Sequence, residues 1–154
     1  DSRGFHAGLT GRQNLRVVAA AAGISNARVD EVLQMVELTD AASKRVKGYS
    51  MGMKQRLSLA GALLGDPKVL ILDEPANGLD PQGIAWLRRA LRKLADEGRT
   101  ILVSSHQLAE MQHTVDDVVI INRGSLVATG SLAEVIGAET LEAAFLRLTS
   151  GDLN

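Results

Sequence analysis

Residues 69 to 75 read Val-Leu-Ile-Leu-Asp-Glu-Pro, four unbroken aliphatics that run straight into two adjacent carboxylates. A short continuous apolar run closed by turn residues fits a strand covered on both faces, the situation of a central strand in a parallel sheet. In an open α/β sheet such a strand delivers its terminal charges at the carboxyl edge, where ligands sit. The same residues also fit a core strand that merely ends in a solvated acidic turn. The neighbouring segments weigh between the two.

Upstream lies Tyr49-Ser50-Met51-Gly52-Met53-Lys54-Gln55-Arg56. Downstream come Ala76-Asn77-Gly78-Leu79-Asp80-Pro81 and, after a second apolar strand, Ser104-Ser105-His106. In this order the segments resemble the signature, Walker B, D-loop and H-loop of the ATP-binding subunit of ATP-binding cassette transporters. Leu9-Thr10-Gly11-Arg12-Gln13-Asn14-Leu15 is similar to the family's LTxxENL entry into its helical subdomain, and the resemblance reaches to about Gly130. The YSMGMKQR form looks closest to cassettes paired with separately encoded exporter membrane subunits, including bacterial drug and antibiotic exporters. The fold so implied is α/β: a partial P-loop NTPase core with mostly parallel buried strands, plus an α-helical subdomain carrying the signature. Residues 11–65 would form that subdomain, 66–130 the remaining ATPase core and 131–154 a C-terminal helical extension of one partial cassette domain.

The resemblance also assigns roles. Asp73 would hold Mg²⁺ through a bound water, since a hard cation prefers carboxylate oxygens and keeps several waters. Strand alternation puts Glu74 on the opposite side of the strand line, and by resemblance it is the general base that polarises the attacking water toward the γ-phosphate. His106 resembles the switch histidine that contacts the same phosphate, although a lone histidine after a strand also fits a structural role. Ser50 and Gly52 stand before a helix, whose free N–H groups and positive dipole end favour phosphate; an ordinary cap is the alternative. Asp80 resembles the D-loop aspartate that crosses the dimer interface, and it equally fits an N-cap for a helix opening at Pro81. The signature departs from LSGGQ, with Tyr49 for Leu, Met51 for the first Gly and Met53 for Gln. The retained Ser50 and Gly52 are the phosphate-facing pair in the family.

No G-x-x-x-x-G-K-S/T occurs in the sequence, so the loop whose backbone N–H groups cradle phosphates, and its lysine, are missing from these residues. The expectation is therefore a carboxyl-terminal portion of a cassette whose front third was lost or never included. Asp1 falls about where the family's Q-loop glutamine would stand and receives no role. The resemblance implies an ATP-binding and hydrolysing subunit that powers export, with ATP and Mg²⁺ as cofactors. Its partners would be a second cassette subunit and an integral membrane permease, which holds it on the cytoplasmic face of the membrane. A degenerate, non-catalytic cassette partner and a soluble cassette ATPase unconnected with transport are the rival readings. This chain alone is expected to be inactive.

Composition narrows the classes further. A net charge of −1, with one Trp, one Tyr and two Phe, leaves no basic footprint or stacking platform for nucleic acid. The absence of cysteine excludes disulfides and thiolate metal sites. No apolar stretch approaches the roughly 20 residues of a membrane span. Periodicity and punctuation predict helices over 12–23, from Ser25-Asn26 onward, over Gln55–Gly65, from Pro81 to Gly98, over Gln107–Thr114 and over Thr140–Leu148. Strands are predicted at 68–73 and Thr100–Ser104, with a hairpin pairing Val118–Ile121 and Leu126–Thr129; Ser131 and Glu134 spell a capping box. Trp86 reads as packing, Arg88 to Lys93 as a solvated helix face, and His6 and His113 as surface residues.

Overall fold

The computed structural model describes residues 4–150, so Asp1 lies outside the described residues. The chain divides after Ser104 into two compact units. The first contains α1 (Gly11–Ala21), α2 (Asn26–Met35), α3 (Met51–Leu63), β1 (Val69–Asp73), α4 (Pro81–Asp96) and β2 (Thr100–Ser104). Thr10 opens α1 with a reciprocal capping box to Gln13, and the Ser25 hydroxyl accepts from the Arg28 N–H at 3.3 Å to open α2. Each such cap satisfies an otherwise orphan N–H and stabilises by about 1 kcal/mol. Gly23 ends the first helix with φ +69°, a conformation that glycine adopts without penalty.

The apolar stripes of the first three helices meet in one core, where Leu15, Val29, Val32, Leu33 and Leu57 are fully buried. Truncating one of these leucines to alanine would cost about 2–5 kcal/mol. Backbone hydrogen bonds then tie the run-in of α1 to the run-in of α3. Val46 N–H donates to the Leu9 carbonyl at 2.9 Å, Lys47 N–H to Ala7 at 2.9 Å, and Arg12 N–H to Ala42 at 3.0 Å. The signature is thus hung on the segment that opens α1. Behind it, Trp86 of α4 is 4% exposed and carries the Arg56 guanidinium 4.2 Å from its ring centroid. Arg56 also donates to the Val36 carbonyl at 3.2 Å and to Glu37 at 2.8 Å, so it joins α2, α3 and α4. Trp86 is packing, as read.

β1 and β2 pair in parallel, from Val69 opposite Thr100 to Asp73 opposite Ser104. The expected burial of this strand on both faces does not hold. Leu70 is buried and Leu72 packs on the core, whereas Val69, Ile71 and Leu102 are 57%, 74% and 56% exposed. A four-residue apolar run is compatible with either arrangement, and among the described residues of this unit no element covers the alternate face. α3 also starts earlier than the predicted Gln55, at Met51, because Ser50 caps it and the sequence Met-Gly-Met-Lys carries no amphipathic signal. At the start of the strands Arg99 donates to the Pro67 carbonyl at 2.7 Å and to Asp66 at 2.8 Å. The Arg99 hydrogen bond and charge, then the Arg28 charge, hold the Asp66 carboxyl below the usual carboxylate range.

The second unit holds α5 (Leu108–Met111), β3 (Asp117–Asn122), β4 (Ser125–Ser131), α6 (Leu132–Ile136) and α7 (Leu141–Thr149). The predicted helix over Gln107–Thr114 is thus shorter, and Thr114 instead turns its hydroxyl back onto the Glu110 carbonyl at 2.9 Å. β3 and β4 form the predicted antiparallel hairpin, slightly longer than its apolar run. Arg123 and Gly124 both take positive φ, +49° and +79°, which matches the right-handed strand twist across a two-residue turn. Ser131 and Glu134 make the capping box of α6. Met111, Ile120, Leu141 and Ala144 are the buried apolar residues of this unit, with Thr114 buried as well. His6, His113, Arg89 and Lys93 are exposed, and no helix of the described residues is long and apolar enough to cross a membrane.

Candidate functional site

The carboxyl ends of β1 and β2 bring three polar residues together. Register sets Asp73 directly opposite Ser104. The Ser104 hydroxyl donates to Asp73 Oδ1 and accepts from the Glu74 N–H at 3.0 Å, while the Ser104 carbonyl accepts from that same N–H at 3.2 Å. The strand stops at Asp73, so alternation does not set the direction of Glu74. Instead Glu74 takes a left-handed backbone, φ +47°, and its carbonyl accepts from Asn77 N–H at 3.1 Å to close the turn. A non-glycine residue in that region costs on the order of 1 kcal/mol and persists only where its surroundings hold it. Here two acceptors on one serine and a closed turn do the holding. Asp73 is exposed and Glu74 half-buried.

A second cluster forms around the start of α3. Ser50 is the N-cap, its hydroxyl accepting from Met53 N–H at 3.2 Å. Gly52 does not precede the helix; it lies inside the first turn, where N–H groups have no intrahelical acceptor. The turn from Ala76 to Asp80 lies over it. Gly78 has φ +72°, and a Cβ there would sit 3.3 Å from Met51 Cγ; a Cβ on Gly52 would be 3.9 Å from Leu79 Cδ2. Asp80 Oδ1 accepts from Gly83 N–H at 2.7 Å, so Asp80 caps α4 with Pro81 at its first position. Tyr49 is buried, its hydroxyl donating to the Ala41 carbonyl at 2.8 Å, and burial pushes the phenol above its ordinary value against a lowering hydrogen bond from Gly11.

His106 belongs to the second unit, where it is exposed; beside it the Ser105 hydroxyl accepts from Gln107 N–H at 3.0 Å. No group of three or more metal-ligating side chains occurs among the described residues. Asp73 itself presents carboxylate oxygens, the ligand type a hard divalent cation prefers, and Ser104 engages one of them. Ser104 is the residue that sequence reasoning missed. Its signal was a polar residue ending an apolar strand of the same length as the one ending in Asp73.

The family model described as ABC transporter matches residues 3–77. The chain is 50% identical over 126 residues to the bacitracin transport ATP-binding protein BcrA of Bacillus licheniformis, covering 80% of this chain and 41% of that protein. It is 41% identical over 137 residues to the lantibiotic transport ATP-binding protein SrtF of Streptococcus pyogenes, covering 89% of this chain and 58% of that one. Among solved structures, an ATP-binding subunit of an ABC transporter superposes with a TM-score of 0.79 at 30% identity, covering 94% of this chain and 64% of that chain. The chain thus spans about half the length of the curated relatives it matches.

Proposed function

We propose, for a chain that belongs to the ATP-binding family of ABC transporters, that it supplies the hydrolytic and signature surfaces of an ATPase that drives export. The observation that carries this reading is the pair of carboxylates at the ends of two parallel strands, with Glu74 held in a left-handed turn beside Asp73. Asp73, with one carboxylate oxygen engaged by Ser104, would hold Mg²⁺ through water, and the bound cation would offset phosphate charge. Glu74 accepts the proton of the water that attacks the γ-phosphate, and the role of His106 as a phosphate contact is supported by the likeness of its segment to the H-loop.

Ser50 and Gly52 act on a nucleotide held by a second cassette subunit. The first turn of α3 offers unpaired N–H groups and the positive end of a dipole, and the Ser50 hydroxyl adds a donor. Asp80 crosses the interface between the two subunits, residues 11–65 form the helical subdomain that carries the signature, and an integral permease is the membrane partner. The bacitracin and lantibiotic relatives support antibiotic-type export as the class of work, with the subunit on the cytoplasmic face of the membrane.

The test is Glu74→Gln in a full-length subunit carrying these residues. Removing the base should lower ATP turnover by about 10²–10⁴-fold while ATP-dependent dimerisation, read by size-exclusion chromatography, persists. Turnover close to that of the parent would show that Glu74 is not the base.

A further inference from the structure

Ser104 stands at a point where a single hydroxyl reaches both catalytic carboxylate residues. Its O–H donates to Asp73 Oδ1, its Oγ accepts from Glu74 N–H at 3.0 Å, and its carbonyl takes a second share of that N–H at 3.2 Å. A hydroxyl has one hydrogen and two lone pairs, so both bonds are made at once without conflict. The register that places Ser104 opposite Asp73 runs through five consecutive paired residues, and β1 cannot slip by one residue without turning its buried Leu70 outward. No other side chain hydrogen-bonds to Asp73 among the described residues.

We infer that Ser104 is the positioning residue of the hydrolytic pair: it fixes the Asp73 carboxylate so that Oδ2 is the oxygen presented to the cation, and it holds the Glu74 backbone in the left-handed turn that aims the base. The inference rests on the reading of Asp73 and Glu74 given above. Without the hydroxyl, Asp73 loses the bond that restrains its rotamer. The Glu74 N–H loses one of its two Ser104 acceptors, in a left-handed conformation that needs its surroundings to hold it. Alanine should therefore loosen the pair without disturbing nucleotide affinity, since among the described residues the Ser104 hydroxyl bonds to Asp73 and Glu74 and not to Ser50, Gly52 or Asp80. Threonine keeps the hydroxyl on a strand-compatible side chain.

The experiment compares Ser104→Ala and Ser104→Thr in a full-length subunit carrying these residues, with Glu74→Gln alongside. For alanine, kcat should fall by about 10- to 100-fold, with a raised Mg²⁺ requirement and an ATP KM within about threefold of the parent. Threonine should restore most of the rate. A kcat within about threefold of the parent for alanine, or a loss that threonine does not repair, overturns the inference. A second readout needs no turnover: crystal structures of the alanine variant should show the Asp73 carboxylate rotated or Glu74 out of the left-handed region. If both keep their conformations, Ser104 does not position them, whatever the activity. Glu74→Gln separates the two readings, because full turnover in that variant removes the base assignment while the crystallographic test of Ser104 still stands.

Discussion

At Gly11 a Cβ would fall 2.2 Å from the Tyr49 Oη, far inside contact distance, and the hydroxyl is pinned on its other side by the Ala41 carbonyl at 2.8 Å. Tyr49 occupies the position where the family signature has leucine, so the departure comes with a matching glycine in the segment that opens α1. Gly11→Ala should therefore destabilise the chain by about 1–3 kcal/mol, because the buried phenol has nowhere to move. Tyr49→Phe removes the clashing oxygen and leaves the ring carbon at 3.1 Å as the nearest atom. Urea unfolding of the two single variants and the double variant should show the double less destabilised than the sum of the singles. Strict additivity would mean that the two sites do not share this contact. The motif residues were legible one by one in the sequence, down to Asp80 as a cap. Their couplings were not: Ser104 bonding Asp73 and Glu74, and Gly11 accommodating Tyr49, depend on strand register and close approach, which no local pattern encodes.

α3 shows the same division at the scale of an element. Its apolar residues Leu57, Ala60 and Leu63 mark the buried face, but its start was hidden, since Met51 to Lys54 carry no helical periodicity and the Ser50 cap becomes decisive only once the chain is folded. Strand alternation likewise misdirected Glu74, because the ladder ends one residue earlier and the turn takes over. Helix position separates the two roles open to Gly52. A methyl group there meets nothing closer than 3.9 Å, and the residue lies within a helix, where glycine is entropically unfavourable. Gly52→Ala should thus leave stability unchanged or raise it by up to about 0.5–1 kcal/mol. If the glycine lets a phosphate approach the N–H groups, the same variant should lower ATP turnover of a full-length subunit by about tenfold or more. Thermal unfolding and phosphate release measured on one preparation decide it: raised stability with undiminished turnover would leave Gly52 an ordinary helix residue.

Across the whole molecule, the groups proposed to act on a nucleotide once it is held are the two carboxylates at the end of β1 and the first turn of α3, whose N–H groups could meet phosphate. The sequence contains no glycine-rich lysine loop to do the holding. A triphosphate bound at the first turn of α3 alone would meet a few unpaired N–H groups, an interaction worth roughly 0.3–1 kcal/mol at an exposed helix end. That is far short of the roughly 8 kcal/mol that micromolar affinity requires. The isolated chain of 154 residues should therefore bind Mg-ATP weakly and release no phosphate beyond background. Titration calorimetry checks the first, and a coupled phosphate assay the second. Both need monodisperse protein, and Ile71→Thr with Leu102→Thr would thin the exposed apolar strip of the sheet without altering Asp73, Glu74 or Ser104. Micromolar affinity, or steady phosphate release abolished by Glu74→Gln, would mean that these residues build a phosphate site of a different kind.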